Sequence, residues 1–274
     1  MPDEFHLDKY LARIGYRGPL QPNRQTLAAL HAAHVDAIAF EGLDPLLGRP
    51  VHLDLASVQR KLVDGRRGGY CFEQNALLQA ALEAVGFTVT SLSGRVRWRF
   101  EPDAPLGPRT HMLLKVDLAD GPYLADAGFG SCLLDAPLRL QADIVQPTAM
   151  GTFRLTQSDD GLFWLAAKQP AGWRTMYVFD LHPQLPADYA LGNWYTSTHP
   201  SVPFTSMVVM ERLAREARYK LVNRRLVIEA RDGEMASERM IETAGELGRV
   251  IEETFGVTLP VPADEIWGRI EGQG

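Results

Sequence analysis

Arg66-Arg67-Gly68-Gly69-Tyr70-Cys71-Phe72-Glu73-Gln74-Asn75 sets a cysteine just behind two glycines, at the point where helical periodicity begins. Apolar residues recur through Leu77, Leu78, Ala81 and Leu82 as far as Gly86, so the spacing predicts a helix that opens at Cys71. Amides at a helix N-terminus carry partial positive charge and stabilise a thiolate, while Gly68 and Gly69 allow close backbone approaches that a side chain would obstruct. Cys71 is therefore a candidate nucleophile, set against the ordinary reading of a free cysteine as a small buried hydrophobe.

Upstream of this motif the pattern is helical from Leu7 onward, with apolar residues at three- and four-residue spacing in Leu27, Leu30 and Ile38. Pro19, Pro22, Pro45 and Pro50 punctuate the helices, Asp54 is placed to cap the segment 55–63, and Gly65 to end it. His31 and His34, neighbours on one helix face, read as a polar rim. Downstream the texture changes to alternation at 87–90, 96–100 and 111–118, and Asp120-Gly121 between two such runs predicts a hairpin. Further strands are expected at 152–155, 162–166 and 173–179, making an antiparallel sheet or small barrel. Arg95, Arg97 and Arg99 would then share one face of a strand as a solvated edge. Beyond Ala187 the signals mix: a helix at 188–194, strands near 207–213 and 225–230, and a helix at 245–255. The fold class is α+β.

A formal net charge of -6 gives no electrostatic case for nucleic-acid binding. The start MPDEFHLDKY has no basic segment leading into an apolar run, and no stretch is long and apolar enough to cross a membrane, so a cytoplasmic protein is expected. Cys71 and Cys132 are too few for a disulfide framework or a cysteine-rich zinc site, and the close ligand pairs of a metal site are missing, so no metal is expected. Cys132 reads as a packing residue.

A thiol nucleophile needs a base, and His111, at the start of the strand 111–118, is the candidate. Asp126, at the end of the next strand, is placed to accept a proton-bearing ring nitrogen of His111 if the hairpin pairs as predicted. A structural histidine and a turn aspartate are the plain alternatives.

Taken together, RGGYCFEQN, THMLL from Thr110 and DAGFG from Asp126 resemble the active-site segments of the arylamine N-acetyltransferases. The likeness extends to AFEGLDPLLG at 39–48 and VPFTSM at 202–207. It implies a helical N-terminal domain (1–86) carrying the nucleophile, an antiparallel β-barrel middle domain (87–200) carrying histidine and aspartate, and an α/β C-terminal lid (201–274), around a cysteine-protease-like Cys-His-Asp core. It also implies double displacement: Cys71 takes an acetyl group from acetyl-CoA and passes it to an arylamine, arylhydrazine or hydrazide, with His111 as proton carrier and Asp126 orienting it. Transfer to the oxygen of N-hydroxyarylamines belongs to the same chemistry. By the same resemblance Phe40, Phe129 and Phe204 line an aromatic acceptor pocket. Thr110, Gly128, Phe129, Gly130 and Ser131 face the CoA co-substrate, and Arg67 and Glu73 buttress the cysteine. One departure is Gly42, where the family commonly has asparagine. An amide synthase using a larger acyl thioester, a cysteine hydrolase and a binding module with a vestigial triad remain alternatives.

Overall fold

The computed structural model describes residues 5–214 and 217–271. Its first part is helical: α1 (Leu7–Arg13), α2 (Arg24–Ala37), the two-residue strand β1 (Phe40–Glu41), α3 (Leu43–Leu46), α4 (Leu55–Gln59), which continues as a π turn over Arg60–Asp64, and α5 (Cys71–Val85). Side chains start these helices where the sequence offers acceptors, Asn23 taking the Thr26 amide and Asp54 the Ser57 amide. α5 stops at Gly86, whose φ of 101° is the left-handed conformation of a helix C-terminus.

The alternating sequence becomes eight antiparallel strands, β2 (Thr88–Val96), β3 (His111–Leu118), β4 (Gly121–Ala125), β5 (Leu138–Arg139), β6 (Val145–Pro147), β7 (Thr152–Gln157), β8 (Phe163–Gln169) and β9 (Gly172–Phe179), in the spatial order β5-β4-β3-β2-β9-β8-β7-β6. The sheet curls into a nearly closed barrel. Across the seam the Gln146 side chain of β6 takes the place of a strand pair, accepting from the Arg139 amide at 2.7 Å and donating to its carbonyl at 3.0 Å. Inward residues such as Leu92, Leu113, Leu124, Phe153 and Leu165 fill the interior without exposure.

Helix α6 (Pro186–Thr198) leads to a second sheet of β10 (Val209–Ala214), β11 (Ala217–Val222), β12 (Arg225–Glu229) and β13 (Met235–Met240), backed by α7 (Ala244–Arg249) and α8 (Ala263–Ile270). Its edge is completed by β1 from the helical part, Phe40 pairing with Glu211.

Three expectations are corrected. The stretch 96–100 is no strand: β2 runs unbroken to Val96 and the chain then turns. Arg97 consequently leaves the solvent and lies buried, its guanidinium donating to the carbonyls of Glu101, Pro102, Ala104 and Pro105, since one planar cation with several N–H groups can organise a whole loop. His31 and His34 are no rim either, both being fully buried. Tyr10 donates to Nδ1 of His34, whose Nε2 donates to Gln74, which in turn donates to the Ala39 carbonyl, so a polar chain ties α1, α2 and α5 together inside the core. With every ring nitrogen so used, burial depresses His34 to about 3 and leaves it neutral.

Candidate active site

Cys71 is the first residue of α5, where the Glu73 carboxylate turns back to accept the Tyr70 amide at 3.1 Å. Its thiol points towards the Thr110 carbonyl at 3.6 Å. The β3–β4 hairpin pairs Leu114 with Ala125, which sets His111 and Asp126 side by side at the same end of the sheet. Nε2 of His111 lies 2.7 Å from Oδ2 of Asp126 and donates to it.

Asp126 is fully buried yet saturated. Beside His111, Oδ2 accepts from the Tyr177 hydroxyl at 2.8 Å, while Oδ1 accepts from the Asn75 amide at 3.0 Å and the Gly128 backbone at 2.9 Å. Burial would raise its pKa, but the charge of His111 and these donors hold it below the usual carboxylate range. For His111, burial works against charge, and the Asp126 carboxylate together with a hydrogen bond to Cys71 outweighs it, pushing the imidazole up to about 10. The charged form of His111 is thus favoured, between the Asp126 carboxylate and the Cys71 sulfur.

Two members of this set were not legible. Asn75 stands four residues after Cys71, on the same helix face, and besides holding Asp126 it donates to the Met112 carbonyl and accepts from the Ala127 amide, fastening both hairpin ends to the helix that Cys71 opens. That i to i+4 relation could have flagged it. Tyr177 sits mid-strand on β9 among core residues and had no signal. His31 adds a further support, its Nε2 accepting from the Asp126 backbone amide at 3.3 Å.

Gly128 is required by space. A Cβ there would fall 2.5 Å from Cα of Cys71 and 2.8 Å from Nδ2 of Asn75, so the loop crosses the helix start as bare backbone. Residues 128–131 then form one wall of a cavity of about 510 Å³, also lined by Phe40, Cys71, Thr110, His111 and Phe204. Every candidate for the triad, the co-substrate face and the acceptor pocket lines it except Asp126, which lies behind His111. Phe129 serves both cavity and core, its ring edge-on to His111 at 5.2 Å and to Trp98 at 6.1 Å. The loop is also gripped from the second sheet, Glu211 accepting from the Leu133 amide and Arg218 donating to the Leu133 carbonyl. Cys132 beside it is buried, and burial raises its thiol.

Behind Cys71, Lys61 bridges Glu73 and Asp44 while Arg67 bridges Asp44 and Glu41. This chain of alternating charges joins α3, the π turn and α5, as expected of Arg67 and Glu73. Among the described residues no group of three or more histidine, cysteine, aspartate or glutamate side chains is placed to hold a metal ion, and no helix is long and apolar enough to cross a membrane.

Residues 23–264 match a family model described as N-acetyltransferase. The arylamine N-acetyltransferase of Mycolicibacterium smegmatis is 43% identical over 257 residues, 92% of each chain. The Salmonella typhimurium protein named arylamine N-acetyltransferase / N-hydroxyarylamine O-acetyltransferase is 44% identical over 207 residues, 75% of this chain and 72% of its own. Among solved structures, the Mycobacterium marinum arylamine N-acetyltransferase in complex with CoA superposes with a TM-score of 0.89 at 38% identity, covering 97% of both chains. A barrel strand pair delivering histidine and aspartate to a cysteine at a helix start is thus embedded in a shared architecture, and the chain belongs to the arylamine N-acetyltransferase family.

Proposed function

We propose that this protein transfers an acetyl group from acetyl-CoA to arylamines, arylhydrazines or hydrazides in two steps through an acetyl-Cys71 thioester. The observation that carries the reading is the His111 imidazolium, held between the saturated Asp126 and the Cys71 thiol at the wall of the cavity. An imidazolium beside a thiol presents the sulfur as a thiolate nucleophile. Attack on the acetyl carbonyl expels CoA, which leaves with the proton of His111. Acetylation then removes the sulfur's charge and hydrogen bond, two of the influences that raise His111, so the imidazole becomes a better-matched base for the attacking amine just when one is needed. Cys71 leaves as thiolate and the pair is restored.

Phe40, Phe129 and Phe204 supply flat apolar surface for the aromatic acceptor, and Thr110 with residues 128–131 faces the pantetheine end of acetyl-CoA. Transfer to N-hydroxyarylamine oxygen belongs to the same reading, supported by the name of the Salmonella typhimurium relative. So does a division into 1–86, 87–200 and 201–274, supported by the two sheets and the helical start. A reducing cytoplasm suits the two unpaired thiols.

Intact-protein mass spectrometry after brief exposure to acetyl-CoA tests the reading. An acetyl adduct mapping to Cys71 and discharged by added arylamine is expected. An adduct formed only by a longer acyl thioester would replace it with an amide synthase, and hydrolysis outrunning transfer at saturating amine with a hydrolase.

A further inference from the structure

The second sheet turns one row of side chains towards the cavity. Phe40 of β1 pairs with Glu211 of β10, which pairs with Lys220 of β11. Directly opposed residues share a face, and so does Arg218, two residues from Lys220 on the same strand. Members of this row reach different points of the cavity wall. A Cβ on Gly130 would fall 2.2 Å from Cδ1 and 2.3 Å from Cγ of Phe40, so that ring lies against bare loop backbone. Nζ of Lys220 stands 6.0 Å from the centre of the Trp98 ring, which lines the cavity. Glu211 and Arg218 take the Leu133 peptide by both of its polar groups, Oε1 of Glu211 accepting from the amide at 2.8 Å and Arg218 donating to the carbonyl at 3.0 Å.

Both side chains are buried, with Nε of Arg218 3.5 Å from Oε1 of Glu211. Oε2 of Glu211 has no hydrogen-bond partner among the described residues, so the Leu133 amide is what that carboxyl holds. A buried pair of this kind is a poor source of stability, because desolvation offsets its attraction, and what it supplies here is direction. The loop 128–131 is thereby pinned at two ends: upstream the Gly128 amide is held by Asp126, and downstream the Leu133 peptide is held by the second sheet.

We infer that Glu211 and Arg218 are positioning residues: by holding the Leu133 peptide they fix the downstream end of the loop 128–131, and so set how readily acetyl-CoA saturates the first half-reaction. The inference rests on the placement of acetyl-CoA proposed above. It gives the second sheet a part in the acetyl-CoA step, although neither residue touches the reacting atoms.

The test compares acetyl-CoA with 4-nitrophenyl acetate, a donor that carries the same acetyl group and no pantetheine. In Arg218→Met the acetyl-CoA concentration that half-saturates CoA release, without amine, should rise by about tenfold or more, the penalty of a misplaced binding loop. Acetylation of Cys71 by 4-nitrophenyl acetate, and discharge of the acetyl-enzyme by aniline, should keep their rates. Arg218→Lys, which retains a cationic donor for the Leu133 carbonyl, should recover most of the loss. Arg218→Met leaves Glu211 buried without its cation, so the neutral pair Glu211→Gln with Arg218→Met, which keeps an acceptor for the Leu133 amide, is measured beside it together with the melting temperature. The pair should show the same selective rise. Equal losses with both donors, as lowered stability alone would give, or no change with either, overturn the inference and leave the transferase reading intact. Failure of acetyl-CoA to acetylate Cys71 in the parent would remove that reading, and the inference with it.

Discussion

The two ends of the cavity are built on opposite principles. At the polar end Asp126 accepts four hydrogen bonds, from His111, Tyr177, Asn75 and the Gly128 backbone, and removing any one of the three side-chain donors leaves a buried carboxylate short of a partner. At the aromatic end Phe40, Tyr70 and Phe204 meet by shape alone, in tilted and edge-on contacts that tolerate small shifts. The polar end is thus fixed by saturated hydrogen bonding and the aromatic end by volume.

Substitutions can try to break that contrast. Cys71→Ser should fold with an unchanged melting temperature and lose at least about a thousandfold in kcat, because a hydroxyl beside His111 is not presented as an anion. Near-parent turnover by this variant would end the proposed mechanism. Asp126→Asn should cost about a thousandfold in kcat/KM, and the His111 titration, followed by NMR, should fall from about 10 as its main charged support disappears. The sign is fixed by the direction of that shift. A histidine raised above its unfolded value near 6.5 adds stability that is complete below that pH and drains away as pH climbs through about 10. The parent should therefore lose melting temperature across this range more steeply than Asp126→Asn; parallel curves would remove Asp126 as the cause.

Smaller effects sharpen the comparison. Tyr177→Phe removes one of the four donors to a buried carboxylate and should lower stability by about 1.5–3 kcal/mol in a denaturant titration, with a modest loss of kcat. A neutral result would mean that the saturation is redundant. Phe204→Leu at the aromatic end keeps an apolar contact, and should shift KM for arylamines by only a few fold with the rate of Cys71 acetylation intact; a large fall in that rate would mean the two ends are coupled.

The candidate constellation could be read because its members lie in short runs with physical meaning: glycines before a helix start, and a hairpin whose register brings His111 to Asp126. The barrel followed from alternation in the same way. What stayed hidden depended on long-range packing. Tyr177 reads like any inward residue of β9, and only closure of the barrel shows that its hydroxyl ends on Asp126. Arg97 looked like a solvated edge because local spacing cannot show that a loop will fold back over a cation. His31 and His34 looked like a rim because helical periodicity separates faces and does not show that a second polar layer is sealed inside. β13 escaped notice because it is exposed along its whole length and carries no alternation. α8 buries Ile266 and Ile270, four residues apart, with Trp267 packed beside them, but its eight residues span only about two turns, a short window for periodicity to mark.

The two-residue strand β1 also imposes a schedule on synthesis. Phe40 and Glu41 leave the ribosome early, yet the partner that holds them, β10, comes after the entire barrel. A nascent chain that already displays Cys71, His111 and Asp126 still has Phe40 without its strand partner and has no Phe204, so the aromatic wall is the last part of the cavity to be finished. Chains released before β10 would carry Cys71, His111 and Asp126 beside a cavity whose aromatic wall is incomplete.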